Sequence, residues 1–179
     1  MESFDIHMLP REAHTDAAEM EHITDLVNRA FARAEKGVMK PWVVRTTVED
    51  VTKLTSDGEL AVARSNGQTI GCVRVRQLDS ETEGLGMLAV DEAFQGTGAG
   101  RALVRFAEQR CQSEQLPKMQ LEMLMPREGS YPGKVSLKNW YSRMGYQQAD
   151  THIIDDSFPE LMKELDAPSK FIVFQKELG

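Results

Sequence analysis

The sequence predicts a mixed α/β (α+β) fold. Its central sheet is mostly antiparallel, is flanked by helices, and holds one parallel pair near its middle. Three observations predict it. Residues 59–90 carry three strand-like runs in succession, and Asn66-Gly67 between the first two is a strong hairpin turn. Residues 85–125 then read strand, glycine-rich loop, helix, strand, and such a crossover implies a parallel pair. Helical and strand patterns alternate along all 179 residues with no repeat, low-complexity segment or domain boundary, so residues 1–179 are expected to form a single domain.

Each element has a local reason. Phe4–Leu9 reads as a strand stopped by Pro10. Met20, Ile23, Leu26, Val27, Ala30 and Phe31 recur at helical spacing, which predicts a helix over 16–33 with Asp16 as its cap. Ala34–Thr46 is a loop that carries Trp42 and Arg45. Thr47-Val-Glu-Asp50 is a capping-box pattern opening a short helix, and Ser56-Asp57-Gly58 is a turn. Strands are expected at Glu59–Arg64, Thr69–Leu78 and Glu83–Val90, a helix from Ala99 to about Glu114, and a strand at Lys118–Met125. The parallel strands, Glu83–Val90 and Lys118–Met125, are expected to splay in a V at the glycine-rich loop and leave a slot for an extended ligand. Pro126–Gly133 is a loop holding Arg127 and Tyr131. Val135–Met144 is a helix with Gly145 at its C-terminal cap. A strand at Tyr146–Ile154, a short helix near Glu160–Leu165 and a last strand at Lys170–Gln175 complete the chain.

Bulk composition narrows the function. A net charge of -7 argues against non-specific nucleic-acid binding. Hydrophobic residues at 41% and charged residues at 27% are those of an ordinary globular domain. No run approaches the roughly 18 apolar residues of a membrane span, and Met1–His7 lacks the basic and apolar regions of a signal peptide. Cys72 and Cys111 make no disulfide framework and read as small core residues, which fits a cytoplasmic setting. His7, His14, His22 and His152 show no metal-ligand spacing, so no metal site is expected.

The loop Gln95-Gly96-Thr97-Gly98-Ala99-Gly100 is the strongest chemical signal. Its glycines keep side chains away, so backbone N–H groups can converge on one anion at the positive end of the following helix. A nucleotide-triphosphate loop would end Gly-Lys-Ser/Thr, but Gly100 is followed by Arg101-Ala102. A dinucleotide fingerprint needs a different glycine spacing and a βαβ array. The form that fits is Gln/Arg-x-x-Gly-x-Gly/Ala. With Leu88-Ala-Val-Asp91 before it and a helix after it, the loop resembles the acetyl-CoA site of the GNAT superfamily of N-acetyltransferases. The resemblance covers nearly the whole chain and is strongest from Gly71 to Tyr146.

A second motif agrees. Trp140-Tyr141-Ser-Arg-Met-Gly145-Tyr146 resembles that superfamily's aromatic-Tyr-x-x-x-Gly-Phe/Tyr signature. The resemblance places Tyr141 beside the CoA sulfur. A phenol there can protonate a departing thiolate. The asparagine and alanine that often open this signature are replaced by Lys134 and Leu137, which puts the usual contact to the cofactor arm in doubt.

The resemblance also implies that the backbone of Met87, Leu88, Ala89 and Val90 pairs with the pantetheine arm, and that a bulge there presents an N–H to the thioester oxyanion. Gln95, Gly96, Thr97, Gly98, Ala99, Gly100 and Arg101 would hold the phosphates, with Arg101 either neutralising one or standing in solvent. Two carboxylates are candidate bases. Glu83 is favoured slightly, and Glu122 alternates with Leu121 and Met123 and so faces away from them. Strict alternation puts Glu83, Leu85, Met87 and Ala89 on one face, unless a bulge resets the count. Trp42, Arg45, Arg127 and Tyr131, with Glu122, are candidate acceptor-site residues. The expectation is direct acetyl transfer from acetyl-CoA, the cosubstrate, to a primary amine, most simply of a small molecule such as a polyamine, amino acid or amino sugar. The alternatives are a protein amine, another acyl group, or a CoA-binding sensor without turnover. Members of this superfamily are often dimers, so a homodimer is an open expectation.

Overall fold

Seven strands form one sheet in the order β1-β2-β3-β4-β5-β7-β6 in this computed structural model, which describes residues 3–179. They are β1 (Asp5–Met8), β2 (Leu60–Ser65), β3 (Gln68–Gln77), β4 (Thr82–Val90), β5 (Lys118–Pro126), β6 (Gln147–Ile153) and β7 (Ser169–Glu177). Five helices accompany them: α1 (Ala17–Ala34), α2 (Val48–Ser56), α3 (Ala99–Ser113), α4 (Pro132–Arg143) and α5 (Pro159–Glu164). Every expected element forms, and 3-10 turns at Arg11–Thr15 and Glu92–Phe94 are added. The reading of the first residues as free of a leader includes Met1 and Glu2, which lie outside the described residues. Among the described residues no helix is long and apolar enough to cross a membrane.

Local chemistry fixes the boundaries. The Asp16 carboxylate accepts from the Glu19 N–H at 3.1 Å and starts α1. Thr47 and Asp50 cap α2 reciprocally, each side chain accepting from the other's backbone N–H. Asn66 and Gly67 both take positive φ, 50° and 80°, as the tight hairpin between β2 and β3 requires.

The sheet buries both faces. Val73, Val75, Leu85, Met119 and Leu121 pack under Leu103, Val104 and Ala107 of α3. On the other face, Leu60, Val62, Cys72 and Ala89 pack under Met20, Ile23, Leu26 and Val27 of α1. Cys72 and Cys111 are both buried, and burial pushes the Cys72 thiol up to about 12.

Two irregularities in β4 shape everything that follows. First, β4 and β5 are parallel and paired only at Thr82–Lys118, Glu83–Met119 and Gly84–Gln120, after which they part. This is the expected splay. Second, Cys72 of β3 faces Ala89 while Arg74 faces Gly86, so β4 spends one more residue than β3 over this span. That is a β-bulge, centred on Met87 at φ 50°. The bulge resets the alternation. Glu83 and Leu85 face α3 together with Leu88 and Val90, whereas Met87 and Ala89 turn to the α1 face. Met87 and Ala89 therefore leave the face that strict alternation assigned them.

Leu103 lies fully buried beneath β3, its Cδ1 3.1 Å from where a Gly71 Cβ would stand. Leu103→Ala is expected to lower the unfolding free energy by about 3 kcal/mol, read from the urea midpoint. A loss below about 1 kcal/mol would place the centre of the core elsewhere.

Candidate active site

A cleft of about 710 Å³ opens where β4 and β5 part. Gly84, Gly86, Met87, Leu88 and Ala89 line one side, and Gln120, Glu122 and Leu124 line the other. Gly86 is bare, since a Cβ there would meet nothing within 4 Å. Glycine inside a strand marks a place where something approaches the backbone closely. Arg45 and Val44 of the α1–α2 loop, Glu35 at the end of α1, Lys134 and Tyr141 of α4, and Glu164 of α5 complete the wall.

The glycine-rich loop leaves the far end of β4. Gln95 Nε2 donates to the Val90 carbonyl at 3.3 Å and ties the loop to the strand. Thr97 Oγ1 donates to the Phe94 carbonyl and turns inward. Gly96 and Gly98 hold φ of 75° and 91°, a region L side chains rarely adopt, and a Cβ at either would enter open space. Among the described residues, the N–H groups of Gly96, Gly98, Ala99, Gly100 and Arg101 have no acceptor, whereas Ala102 donates to Gly98 and begins the helical ladder. Five unpaired donors at the start of α3 make a fitting seat for a phosphate group. The Arg101 side chain is exposed beside them.

Gly100 also joins the two motifs. The Trp140 ring lies 3.8 Å from where its Cβ would be, and Val90 Cγ2 lies 3.7 Å from the same point. This contact draws α4 against the loop. Tyr141, next in sequence, is buried at 6% exposure and lines the cleft. It packs edge-on against Trp140 at 5.0 Å and Tyr146 at 5.8 Å between ring centroids. Among the described residues its hydroxyl has no hydrogen-bond partner, and burial pushes its pKa well above the usual phenol value. It therefore stays protonated through the neutral range and keeps a proton to donate.

About two turns before Tyr141 along this helix wall, Lys134 is buried at 4% exposure and pairs with Glu35. The Glu35 Oε2 atom is buried with no partner among the described residues. This pair, which joins the end of α1 to the start of α4, replaces the asparagine of the sequence signature.

The structure gathers some sequence candidates and disperses others. Met87, Leu88, Ala89, Arg45, Glu122 and Tyr141 share the cleft. Glu122 turns away from Leu121 and Met123, as alternation predicts, and is exposed. Glu83 does not line the cleft. It is buried under α3, 3.6 Å from the Arg110 guanidinium, and burial outweighs that cation and raises its pKa. Arg127 donates to the Ile154 carbonyl at 2.7 Å and the Ser169 carbonyl at 3.3 Å, so its guanidinium ties β5 to the β6–β7 end. Trp42 is 72% exposed under the Lys40 ammonium and lies outside the cleft wall. Tyr131 precedes α4 and packs over Gly129 and Gly37, also outside the wall. Sequence reasoning missed Arg74 and Arg76 of β3, together with Glu35 and Glu164. Arg74 and Arg76 alternate along β3, which was the one available signal.

Breaking a buried pair strands a charge in a poorly solvated place. Lys134→Met is expected to cost about 3 kcal/mol or more in thermal or urea unfolding. The double variant Glu35→Gln/Lys134→Met should regain most of it. A loss in the double variant equal to the sum of the Lys134→Met and Glu35→Gln losses would show that the two side chains are not energetically coupled.

Known structures share this fold. Among curated proteins none matches this chain. The chain is similar to the IAA acetyltransferase from Bacillus cereus, with a TM-score of 0.65, 18% identity, and 98% of this chain and 99% of that chain covered. It is similar to the N-acetylglutamate synthase from Neisseria gonorrhoeae, solved with coenzyme A and N-acetyl-glutamate, with a TM-score of 0.66 and 15% identity over 100% of this chain and 36% of that one. It is also similar to a GNAT family acetyltransferase from Elizabethkingia anophelis with acetyl-CoA bound, with a TM-score of 0.57 and 21% identity over 73% of this chain and 83% of that one. Residues 56–148, from the end of α2 into β6 and so including the bulged strand, the glycine-rich loop and Tyr141, match the acetyltransferase (GNAT) domain family, and the chain belongs to that family.

Proposed function

We propose that residues 1–179 act as one acyltransferase domain that moves an acetyl group from acetyl-CoA to a primary amine by direct attack. The observation that carries this reading is a bulged strand edge facing a buried phenol across the cleft, with five unpaired loop N–H groups at the start of α3, beyond the far end of that strand. Bound acetyl-CoA supplies the activated acyl group. In this reading the N–H groups of 96–101 hold its phosphates at the positive end of α3. The β4 edge from Met87 to Val90, unpaired by β5, offers backbone groups to the amides of its arm. A donor at the Met87 bulge faces the place where charge develops on the thioester oxygen, and one such donor is worth about 3 kcal/mol.

Tyr141 gives its proton to the departing thiolate and recovers one from solvent. The amine must shed a proton to attack. Glu122, exposed on the cleft wall, is placed to take it directly or through water. Glu83 is the weaker candidate, because its carboxylate turns under α3 to Arg110. The C–N bond forms as the C–S bond breaks, and no enzyme-bound acyl group is needed. The buried, strongly weakened acid at Cys72 supports that order, since a thiol held up to about 12 is not a nucleophile at neutral pH.

Gly98→Asp would add a carboxylate in the left-handed region where the loop donors converge. It is expected to abolish acetyl-CoA binding in calorimetry without unfolding the protein. Retained micromolar affinity would remove the loop from the phosphate site.

Tyr141→Phe should lower kcat by about 100-fold or more while changing acetyl-CoA affinity little. Glu122→Gln should move the acidic limb of the kcat/KM profile, and Glu83→Gln should leave it in place. A limb that moves only with Glu83→Gln would return the base to the α3 side of the sheet.

A further inference from the structure

The cleft holds more charge than a bare amine requires, and the charge is sorted by wall. Arg74 and Arg76 come from β3, and Arg45 from the adjoining loop. Glu122 comes from β5 and Glu164 from α5. Three of the cleft's charges, Arg74, Lys134 and Glu35, are already matched. Arg74 is held by Glu59, with both Nε and Nη2 at 2.8 Å from one carboxylate oxygen, and Lys134 is held by Glu35. Among the described residues that leaves Arg45 and Arg76 without an anion, and Glu122 and Glu164 side chains without a cation.

The backbone explains the sorting. Arg74 sits opposite Gly86, Arg76 opposite Gly84, and Gly84 opposite Gln120. Neighbouring strands lie about 4.8 Å apart, so Arg76 and Gln120 stand about 10 Å apart across Gly84, and the gap widens toward Glu122 where β5 parts from β4, past the bare Gly86. Arg45 is held in place by its loop. Asn28 Oδ1 accepts from the N–H groups of Arg45 at 2.9 Å and Thr46 at 3.0 Å, and Asn28 Nδ2 donates to the Thr46 carbonyl. The residue is exposed, yet its guanidinium loses hydration at the cleft wall. That loss, and then the Arg74 charge, lowers its pKa, while Glu35 acts in the opposite sense. A partly dehydrated cation of this kind gains most from an anion that enters with the ligand.

We infer that the acceptor carries its amine and a carboxylate in the same small molecule, with the carboxylate held by Arg45 and Arg76 and the amine delivered to the Glu122 wall. This inference rests on the acyltransferase reading and specifies its substrate class as amino acids. A polyamine would place a second cation against two unmatched guanidiniums. A peptide N-terminus carries no carboxylate beside its amine. The same guanidiniums would also accept a carboxylate at the end of an acyl chain, and a succinyl donor separates the two sources.

The test uses the full chain and release of CoA thiol. Acetyl-CoA is offered with each of the protein amino acids, with the carboxamide and the decarboxylated amine of each, and with spermidine. The series is repeated with succinyl-CoA. At least one amino acid is expected to be acetylated with kcat/KM about 100-fold or more above its carboxamide. Arg76→Gln and Arg45→Gln should each raise KM for that amino acid about 10-fold or more, leave KM for acetyl-CoA unchanged, and shrink the preference for acid over amide. Arg76 is exposed, so its variant reports even where Arg45→Gln disturbs the loop. Equal turnover of acid and carboxamide, or spermidine as the best acceptor, overturns the amino-acid assignment and leaves the acyltransferase reading standing. So does a carboxylate preference that follows succinyl-CoA and not the acceptor. Acetyl-CoA that binds but yields thiol with none of these amines overturns the amino-acid assignment, and no thiol with amino-sugar and peptide amines as well overturns both.

Discussion

The bulge at Met87 is the constraint on which the site depends. A strand that pairs regularly on both sides has no free backbone and no open edge. In β4 the extra residue lets the strand keep β3 as a partner from Gln77 to Gly71 while it turns away from β5 after Gly84. Met87 accepts the left-handed conformation that this demands, though it is not glycine. Strain of this sort persists only where the surroundings impose it. Here the surroundings are two cores, one under α3 and one under α1, which claim Leu88 and Ala89 from opposite sides.

A second constraint acts from the other wall. The proton transfer proposed for Tyr141 requires a fixed ring and a hydroxyl left over. Trp140 and Tyr146 fix the ring, and Trp140 in turn leans on Gly100 at the start of the loop. The Lys134–Glu35 pair anchors the same helix to α1. The tyrosine is thus registered against the loop and against the α1 side of the cleft by contacts that belong to neither strand.

The fold was legible in the sequence wherever a signal was local. Asp16, the Thr47–Asp50 box, Asn66-Gly67 and the glycine-rich loop each act within four residues, and each appears where the pattern put it. The parallel pairing of β4 with β5 followed from the crossover. Side-chain direction in β4 was less legible, because one bulge inverts every position beyond it and its place is set by packing, not by composition. Glu83 lies before the bulge, yet its partner Arg110 is 27 positions away on α3, which no spacing rule connects. Arg127 shows the same limit, since its hydrogen bonds go to carbonyls of residues 154 and 169. Arg74 and Arg76 are ordinary alternating arginines until the glycines of the next strand are seen to stand beside them.

The short β4–β5 ladder has a mechanical meaning. Strands β1 to β4 and strands β5 to β7 make two blocks of one sheet, and among the described residues only three residue pairs join them across the seam. The β5–β7 ladder beside the seam runs to nine pairs. The seam is therefore a soft joint between stiffer plates, braced mainly by α3. An extended molecule that hydrogen-bonds β4 beyond Gly84 does more than occupy a space. It lengthens the ladder where the chain itself stops, stiffens the joint, and makes the cooperativity of the whole sheet depend on cargo.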